Sequence, residues 1–302
     1  MEKVLVIGGG GFLGSHVADE LSIQGYEVFL FDIKPSIYLS GNQKMIVGNI
    51  IDREAVNDAI KQVDIVYHFA AIADINEAKL DPIKTASFNI MGTMNILEAC
   101  RAHLIRRFIY SSTIYVYSQH GSFYRSSKQA CELFIENYKE EYELDFTVLR
   151  YGSLYGNRAN NFNFIHNSIK QALLEGKITR QGNGDEIRDY INILDAAKSS
   201  VSALDEKYKN SFLMISGNQS MRVNQLLSMI KEIMNNQIEI DYVNGSLEGH
   251  YKITPFSFKP KVALKMSLEN PHEIGQGILD TIYNIYQDLL DNGEAPKSFN
   301  NE

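Results

Sequence analysis

The segment that decides the fold is Val4-Leu5-Val6-Ile7-Gly8-Gly9-Gly10-Gly11-Phe12-Leu13-Gly14. Its four apolar residues predict a short, buried parallel strand that leads directly into glycine. Gly8, Gly11 and Gly14 recur at every third residue, and residues 12–21 have the apolar spacing of a helix. The pattern therefore predicts a strand, a tight turn and a helix whose amino end carries exposed backbone N–H groups.

Such a turn suits the pyrophosphate of a dinucleotide. The first glycine permits the tight turn, the second lets the pyrophosphate approach the backbone, and the third lets helix and sheet pack closely. Asp32 ends the next apolar run, residues 26–32, about 20 positions on, where a carboxylate binds the ribose 2′-hydroxyl of NAD. The alternative is a glycine-rich turn that serves packing alone, but the strand, the helix and Asp32 together favour NAD.

Strands and helices alternate through residue 150. Apolar runs predict further strands at residues 45–47, 63–69, 107–110 and 145–150, and helices at 52–62, 82–103 and 124–142. This alternation predicts an α/β fold with a doubly wound parallel sheet. Ligands of such sheets bind at the carboxyl ends of the strands, where small and polar residues of this chain cluster.

The second half of the chain is less regular. Helices are predicted at residues 160–175, 194–204, 223–234 and 271–290, and strands at 188–193 and 211–215. We therefore predict an NAD-binding domain at 1–153 and a smaller C-terminal α/β lobe at 154–302 that encloses the substrate. Segments near 188–217 are expected to return to the first domain.

Composition limits the class of protein. The chain has 302 residues and a net charge of −8, which argues against nucleic acid as a partner. Two cysteines, Cys100 and Cys131, give no disulfide framework and indicate a reducing, cytoplasmic compartment. No signal peptide precedes the first strand, and no apolar run is long enough to span a membrane. No metal site is predicted.

Tyr124 and Lys128 are the best candidates for chemistry, because residues four apart on a helix share a face. A lysine ammonium nearby is expected to lower the phenol pKa from about 10. The pair could then abstract a hydroxyl proton while a nicotinamide takes the hydride. The spacing alone is common by chance. Thr113 could bind the reacting oxygen, or it could simply satisfy backbone groups at the end of its strand.

Several motifs in one order along the chain resemble those of the extended short-chain dehydrogenase/reductase family. That family includes the nucleotide-sugar epimerases, dehydratases and related oxidoreductases. The matching segments are residues 7–16, 66–71, 89–93, 110–117, 124–128, 149–156 and 188–191. The resemblance extends from residue 3 to about residue 205, and it implies a Rossmann-type fold with NAD as cofactor.

The resemblance also implies a role for individual residues. Tyr124 would be the general base and acid, Lys128 its pKa modulator and a ribose ligand, and Thr113 the third catalytic residue. The expected cofactor contacts are Gly8, Gly11, Phe12, Leu13, Gly14, Asp32, Ile33, Asn49, Ile50, Phe69, Ala70, Ala71, Asn89, Ser111, Tyr124, Lys128, Tyr151 and Ser153. Substrate contacts are expected from Thr113, Arg158 and Arg188, the last on a diphosphate. Arg188 could instead form a surface ion pair with Asp185 or Glu186.

The family contains several reactions. We expect NAD-dependent oxidoreduction at C4 of a nucleotide-diphospho-sugar, by a 4-epimerase of carbohydrate biosynthesis. The alternative is a net C4-dehydrogenase or 4-ketoreductase of a UDP- or GDP-sugar, for example a GDP-heptose. A non-catalytic NAD-binding sensor or scaffold is a third possibility. Dehydration is disfavoured, because dehydratases of the family follow the threonine with Asp-Glu, whereas Ile114 and Tyr115 follow Thr113.

The resemblance further implies a homodimer. In relatives, the helix that carries the tyrosine–lysine pair and the preceding long helix pack against their copies. Here these are the helices at 82–103 and 124–142. Spacing alone leaves open whether their apolar residues serve that interface or the core; these residues are Ile90, Met94, Leu97, Phe134 and Tyr138.

Overall fold

The computed structural model describes residues 1–218, 220–245, 249–252, 264–265, 271–294 and 296. The strands are β1 Lys3–Ile7, β2 Glu27–Asp32, β3 Lys44–Val47, β4 Ile65–His68, β5 Arg107–Thr113, β6 Phe146–Tyr151, β7 Ser153–Tyr155, β8 Lys177–Gln181, β9 Ile187–Asn192, β10 Ser211–Ile215, β11 Ser220–Arg222, β12 Glu239–Val243 and β13 Leu264–Lys265. The α-helices are α1 Phe12–Ile23, α2 Arg53–Ile60, α3 Ile75–Leu80, α4 Pro82–Ala86, α5 Gly92–Ala102, α6 Ser122–Tyr142, α7 Phe164–Glu175, α8 Ile193–Ser202, α9 Val223–Ile233 and α10 Ile274–Asp291. A π-helical turn at Ser87–Met91 and 3₁₀ turns at Ile114–Tyr117 and Glu206–Tyr208 complete the described elements.

The largest sheet has eight strands in the order β13-β10-β6-β5-β4-β1-β2-β3. Each of its pairings is parallel. The last four residues of β1 are buried, because strands of such a sheet are covered on both faces. One apolar core packs β1, β2, β5 and β6 against α2, α5 and α6. The predicted α/β fold with a parallel Rossmann-type sheet is confirmed.

Local sequence explains where individual elements begin. The Asp52 carboxylate accepts hydrogen bonds from the backbone N–H groups of Glu54 and Ala55 and so caps α2. Asn163 caps α7 in the same way, through the N–H of His166. The helix predicted at 160–175 therefore starts only at Phe164.

The long helix predicted at 82–103 is interrupted by the π-helical turn at Ser87–Met91. Asn89 lies within that turn, and its carbonyl accepts from the hydroxyl of Thr93 and the thiol of Cys131. Turns of this kind are common at functional sites. Strand β5 also continues three residues past its predicted end, through Thr113.

The chain divides into two compact units. The first comprises Met1–Tyr151, Ala196–Ile215 and β13, and the second comprises the remaining described residues. Of the segment expected to return to the first domain, residues 196–215 lie in the first unit, whereas 188–195 and 216–217 lie in the second.

The second unit has two small sheets. One has the order β11-β9-β7, and the other pairs β12 with β8. A separate apolar core joins side chains of α7, α9 and α10. Strands β7, β8, β11 and β12 are short or largely polar, so the apolar pattern of the sequence does not predict them. No helix in the described ranges is both long and apolar enough to cross a membrane.

Candidate active site

The glycine turn after β1 is as tight as its sequence predicts. Gly8 has a φ of +82°, and a Cβ there would lie 2.5 Å from the backbone nitrogen of Ala70. A Cβ at Gly14 would lie 2.1 Å from the carbonyl oxygen of Gly8. Glycine is therefore required at both positions, one for a left-handed turn and one for close packing of helix and strand.

The amino end of α1 has the features of an anion site. In the described part of the chain no side chain caps this end, and its first turn holds no acidic residue. Gly11 is exposed at the N-cap position, Phe12 is half-buried, and Leu13 is buried beside them. The first N–H groups of a helix have no partner within the helix and favour a negatively charged group.

Asp32 lies at the end of β2 beside this turn. Its two carboxylate oxygens accept hydrogen bonds from the backbone N–H groups of Gly10, at 3.0 Å, and Ile33, at 2.7 Å. The carboxylate is thereby held at the carboxyl edge of the sheet, where a ribose hydroxyl could donate to it. Ile33 exposes 58% of its surface, which leaves an apolar side chain available to a ligand.

The other predicted cofactor residues fall into two groups. Phe69, Ala70 and Ala71 are half-buried just after β4, and the N–H groups of Phe69 and Ala70 donate to the carbonyl of Ile7. They thus border the glycine turn. Ser111 lies at the carboxyl end of β5 and is also half-buried.

Several side chains of the predicted set are instead engaged within the protein. Asn49 accepts from the N–H of Ile51, and Ile50 is buried against the core. Asn89 is 1% exposed, and its amide joins the backbone of Ile72 to the hydroxyl of Ser127. The hydroxyl of Tyr151 is bonded to that of Ser200.

Tyr124, Lys128 and Thr113 meet where α6 begins and β5 ends. The Thr113 hydroxyl accepts from the N–H of Tyr115 and also hydrogen-bonds the phenol of Tyr124. The hydroxyl thus satisfies a backbone group, which is one of the two alternatives given for it, and its role toward the reacting oxygen stays a prediction. The ammonium of Lys128 donates to the carbonyl of Ser111 at 2.7 Å.

The pKa of Tyr124 differs from expectation, and that of Lys128 is shifted as well. Burial raises the pKa of Tyr124 to about 12, and the hydrogen bond from Thr113 only partly offsets it. Burial lowers the pKa of Lys128 to about 8. The expected lowering of the Tyr124 pKa is therefore wrong for this structure, since burial dominates and the ammonium lies 5.9 Å from the centre of the tyrosine ring. Opposed shifts in neighbouring groups are typical of active sites.

A strained turn precedes Tyr124. Gly121 has a φ of +100° and Ser122 a φ of +50°. A Cβ at Gly121 would lie 2.8 Å from the ring of Tyr115. A non-glycine residue in the left-handed region is uncommon, and strained residues of this kind recur at functional sites.

Arg188 lies in the second unit and is 7% exposed. Its guanidinium stacks 4.2 Å from the ring centre of Tyr251 and donates to the carbonyl of Ile187. Among the described residues it has no carboxylate partner, because Glu186 pairs with Arg180 and Asp185 with Arg222. The alternative of a surface ion pair is therefore not observed.

The remaining substrate candidate, Arg158, also lies in the second unit and has a left-handed backbone with φ of +60°. Ser153, predicted to bind the cofactor, begins β7 in that unit and is half-buried.

Four polar residues beside the pair had no predicted role: Ser112, Tyr117, Glu132 and Arg150. Ser112 and Arg150 face each other in the register of β5 and β6, and Glu132 follows Lys128 by one helical turn. A charged residue inside a mostly apolar, fully buried strand, such as Arg150 in Phe146–Tyr151, is a signal that could have revealed them.

A sequence model of the NAD dependent epimerase/dehydratase family matches residues 4–213. The chain belongs to this family. It is accordingly an NAD-dependent enzyme of that family, and the glycine cradle, the uncapped helix end and Asp32 fit the dinucleotide.

Relatives of the chain differ in their reactions. A putative UDP-glucose 4-epimerase of Methanocaldococcus jannaschii is 27% identical over 300 residues, covering 88% of this chain and 96% of the relative. A UDP-N-acetyl-alpha-D-glucosaminuronate decarboxylase of Bacillus cytotoxicus is 27% identical over 268 residues, covering 80% of this chain and 83% of the relative. The UDP-glucuronic acid 4-epimerase of Bacillus cereus, solved with UDP-glucuronic acid and NAD, matches the structure with a TM-score of 0.83 and 25% identity, covering 94% of this chain and 99% of that one.

Proposed function

We propose that this protein is a 4-epimerase of a nucleotide-diphospho-sugar. The observation that carries the proposal is the contact between Thr113 and Tyr124 at the start of α6, with the buried ammonium of Lys128 one turn away. This arrangement provides a proton acceptor, a hydroxyl to orient the reacting oxygen, and a positive charge.

The glycine turn and Asp32 would hold NAD, which would supply the redox chemistry as hydride acceptor and donor at C4. The phenolate form of Tyr124 would take the proton of the C4 hydroxyl, and the phenol so formed would give it back when the ketone is reduced. Thr113 donates to the tyrosine oxygen and thus favours its deprotonated form. Lys128, which is 3% exposed, adds positive charge from a position largely shielded from water.

Arg188 is the proposed ligand of the substrate diphosphate. A guanidinium that is nearly buried and has no carboxylate partner among the described residues favours an anionic ligand. Arg158, with its strained backbone, is the second proposed substrate residue. The two 4-epimerases named above act on, or are named for, UDP-sugars, which supports a UDP-sugar as the first substrate to test.

The residues after Thr113 favour epimerisation over dehydration. Ile114 and Tyr115 follow Thr113 in the 3₁₀ turn, so neither residue after the threonine carries a carboxylate. Ile114 is buried and Tyr115 is half-buried. Elimination of water from the sugar requires an acid and a base at the carbon atoms that lose it. A net C4-dehydrogenase or 4-ketoreductase would use the same three residues.

The decisive experiment mixes the purified protein and NAD with UDP-glucose, UDP-glucuronic acid and GDP-sugars. An epimerase interconverts the C4 isomers while the NAD concentration stays constant. Accumulation of NADH would instead indicate a net dehydrogenase, and release of carbon dioxide a decarboxylase. If no sugar nucleotide reacts or binds, the proposal is wrong.

We also propose that the protein is a cytoplasmic homodimer. Leu97 and Tyr138 belong to the core of their own chain. Met91, Leu133 and Tyr142, in contrast, expose at least half of their surface on or beside α5 and α6, which supports a second copy at this face. The buried free thiols of Cys100 and Cys131 fit a reducing compartment. The molar mass in solution tests the dimer.

A further inference from the structure

A chain of hydrogen bonds crosses the interior of the first unit beside α6. Glu132 Oε1 accepts from the Ser112 hydroxyl at 2.6 Å and from Arg150 Nε at 3.0 Å. Glu132 Oε2 accepts from Arg150 Nη2 at 2.7 Å. Arg150 Nη1 then donates to the Tyr117 hydroxyl at 2.5 Å. Glu132, Arg150 and Ser112 are all buried, so these bonds are shielded from water.

The carboxylate of Glu132 joins the two elements that form the catalytic site. On the helix side, Glu132 lies one turn beyond Lys128 in α6. On the strand side, its partner Ser112 lies between Ser111 and Thr113. The carbonyl of Ser111 binds the Lys128 ammonium, and the hydroxyl of Thr113 binds Tyr124. A shift of this carboxylate would therefore move the helix groups relative to the strand groups.

Arg150 brings in two further elements. It lies on β6, directly opposite Ser112 in the parallel register. Its guanidinium also stacks 4.7 Å from the ring centre of Tyr117, which ends the 3₁₀ turn after β5. The ion pair thus contacts α6, β5, β6 and the segment that leads toward Tyr124.

A buried ion pair of this kind is a poor source of net stability, because the cost of removing two charges from water offsets their attraction. Its bidentate geometry instead fixes the relative positions of the groups that it joins. A pair that adds little stability next to a reactive site is explained by its role in fixing the positions of the groups around it.

We propose that the Glu132–Arg150 pair is a positioning unit, which holds the phenol of Tyr124 and the ammonium of Lys128 at the separation that the reaction needs. The kinetic part of this inference rests on the proposed function. The negative charge of Glu132 also supports the charged form of Lys128 and raises the pKa of that lysine against the effect of burial.

The first experiment removes single hydrogen bonds and keeps the ion pair. Ser112→Ala removes one bond to Glu132, and Tyr117→Phe removes one bond to Arg150. Tyr138→Phe is the matched control, because Tyr138 is a buried tyrosine of the same helix whose hydroxyl binds Glu98, at 2.5 Å. We expect kcat to fall about tenfold in the first two variants, since small misplacements of reacting groups are costly. KM, NAD affinity and Tm should change no more than in the control.

The second experiment uses Glu132→Gln and does not depend on turnover. The ¹⁵N signal of the Lys128 ammonium, assigned by its loss in Lys128→Met, is followed against pH by NMR. Lys128 is faced by Tyr110 of β5, by Tyr124, Cys131 and Glu132 of α6, and by His68 of β4. We expect its titration to move to lower pH in Glu132→Gln and to stay unchanged in Tyr138→Phe.

Two results would overturn the inference. One is a wild-type kcat in both Ser112→Ala and Tyr117→Phe; the other is a loss of activity no larger than the loss of folded protein. If the wild-type protein turns over no nucleotide sugar, the proposed function fails, and the lysine titration alone decides: an unchanged titration in Glu132→Gln then refutes the positioning role.

Discussion

Lys128 donates a 2.7 Å hydrogen bond from its ammonium to the backbone carbonyl of Ser111. The lysine is 3% exposed, and burial lowers its pKa to about 8, so the group remains largely charged at neutral pH. A charge kept in the protein interior destabilises the fold, and such sites are usually retained for function. The glycine turn, Asp32 and the tyrosine–lysine pair all lie in the first unit.

Tyr124→Phe should remove the proton acceptor and leave the NAD site intact. We expect kcat on the true substrate to fall by about 10²- to 10⁴-fold, which is the usual contribution of general acid–base catalysis. NAD affinity, measured by calorimetry, should stay within about twofold, because a phenylalanine preserves the ring. Tyr138→Phe controls for loss of a tyrosine hydroxyl from α6. Unchanged turnover in Tyr124→Phe would contradict the catalytic role.

Arg188→Met should weaken substrate binding without affecting the cofactor. A charge-assisted hydrogen bond to phosphate contributes roughly 1.5–3 kcal/mol, so KM for the nucleotide sugar should rise about 10- to 100-fold. NAD affinity should not change. Arg222→Met is the matched control, because Arg222 has a half-exposed side chain paired with Asp185. Equal KM values in the two variants would show that Arg188 does not bind the diphosphate.

The sequence predicted the elements whose pattern is set locally. The strand–glycine–helix unit around Gly8 follows from residue type alone, because only glycine fits a φ of +82° against the backbone of Ala70. The α2 cap at Asp52 and the parallel sheet were predictable for the same kind of reason. Tyr124 and Lys128 share one end of α6 because of their four-residue spacing.

Features that depend on distant residues were not predictable in this way. The π-helical turn at Ser87–Met91 surrounds Asn89, which bonds residues 17 positions before it and 38 positions after it. The Glu132–Arg150 pair joins residues 18 apart, and burial set the direction of the Tyr124 pKa shift. Sequence spacing contains no information on how deeply a group is buried.

Asp32→Ser should reduce the preference for NAD over NADP. The carboxylate is positioned to accept from a ribose hydroxyl, and it would repel the 2′-phosphate of NADP. We expect the ratio of the two dissociation constants to shift toward NADP by about tenfold, from the loss of one charged hydrogen bond. Calorimetric titration with each dinucleotide measures that ratio, with Asp58→Ser as an exposed control. A wild-type preference for NADP would contradict the role of Asp32.

Lys128→Met should change how stability depends on pH. Below pH 8 the lysine is protonated in both the folded and the unfolded state, so the folded state bears the full cost of a buried charge. The lysine pKa is about 8 in the folded state and 10.5 in the unfolded state. Between these two pH values the folded state has lost a proton that the unfolded state still binds. The wild-type free energy of unfolding therefore gains a contribution that rises with pH across this window, by roughly 3 kcal/mol.

The variant lacks this titrating group, so its stability relative to the wild type should decrease steadily from pH 8 to 10.5. Urea unfolding of both proteins at pH 7, 8, 9 and 10 measures the difference, and Lys61→Met, whose lysine side chain is 54% exposed, is the surface control. Parallel stability curves for Lys128→Met and the wild type would show that the ammonium is not destabilised by burial. In that case the site would hold its positive charge without cost to the fold, and the stability argument for a functional Lys128 would fail.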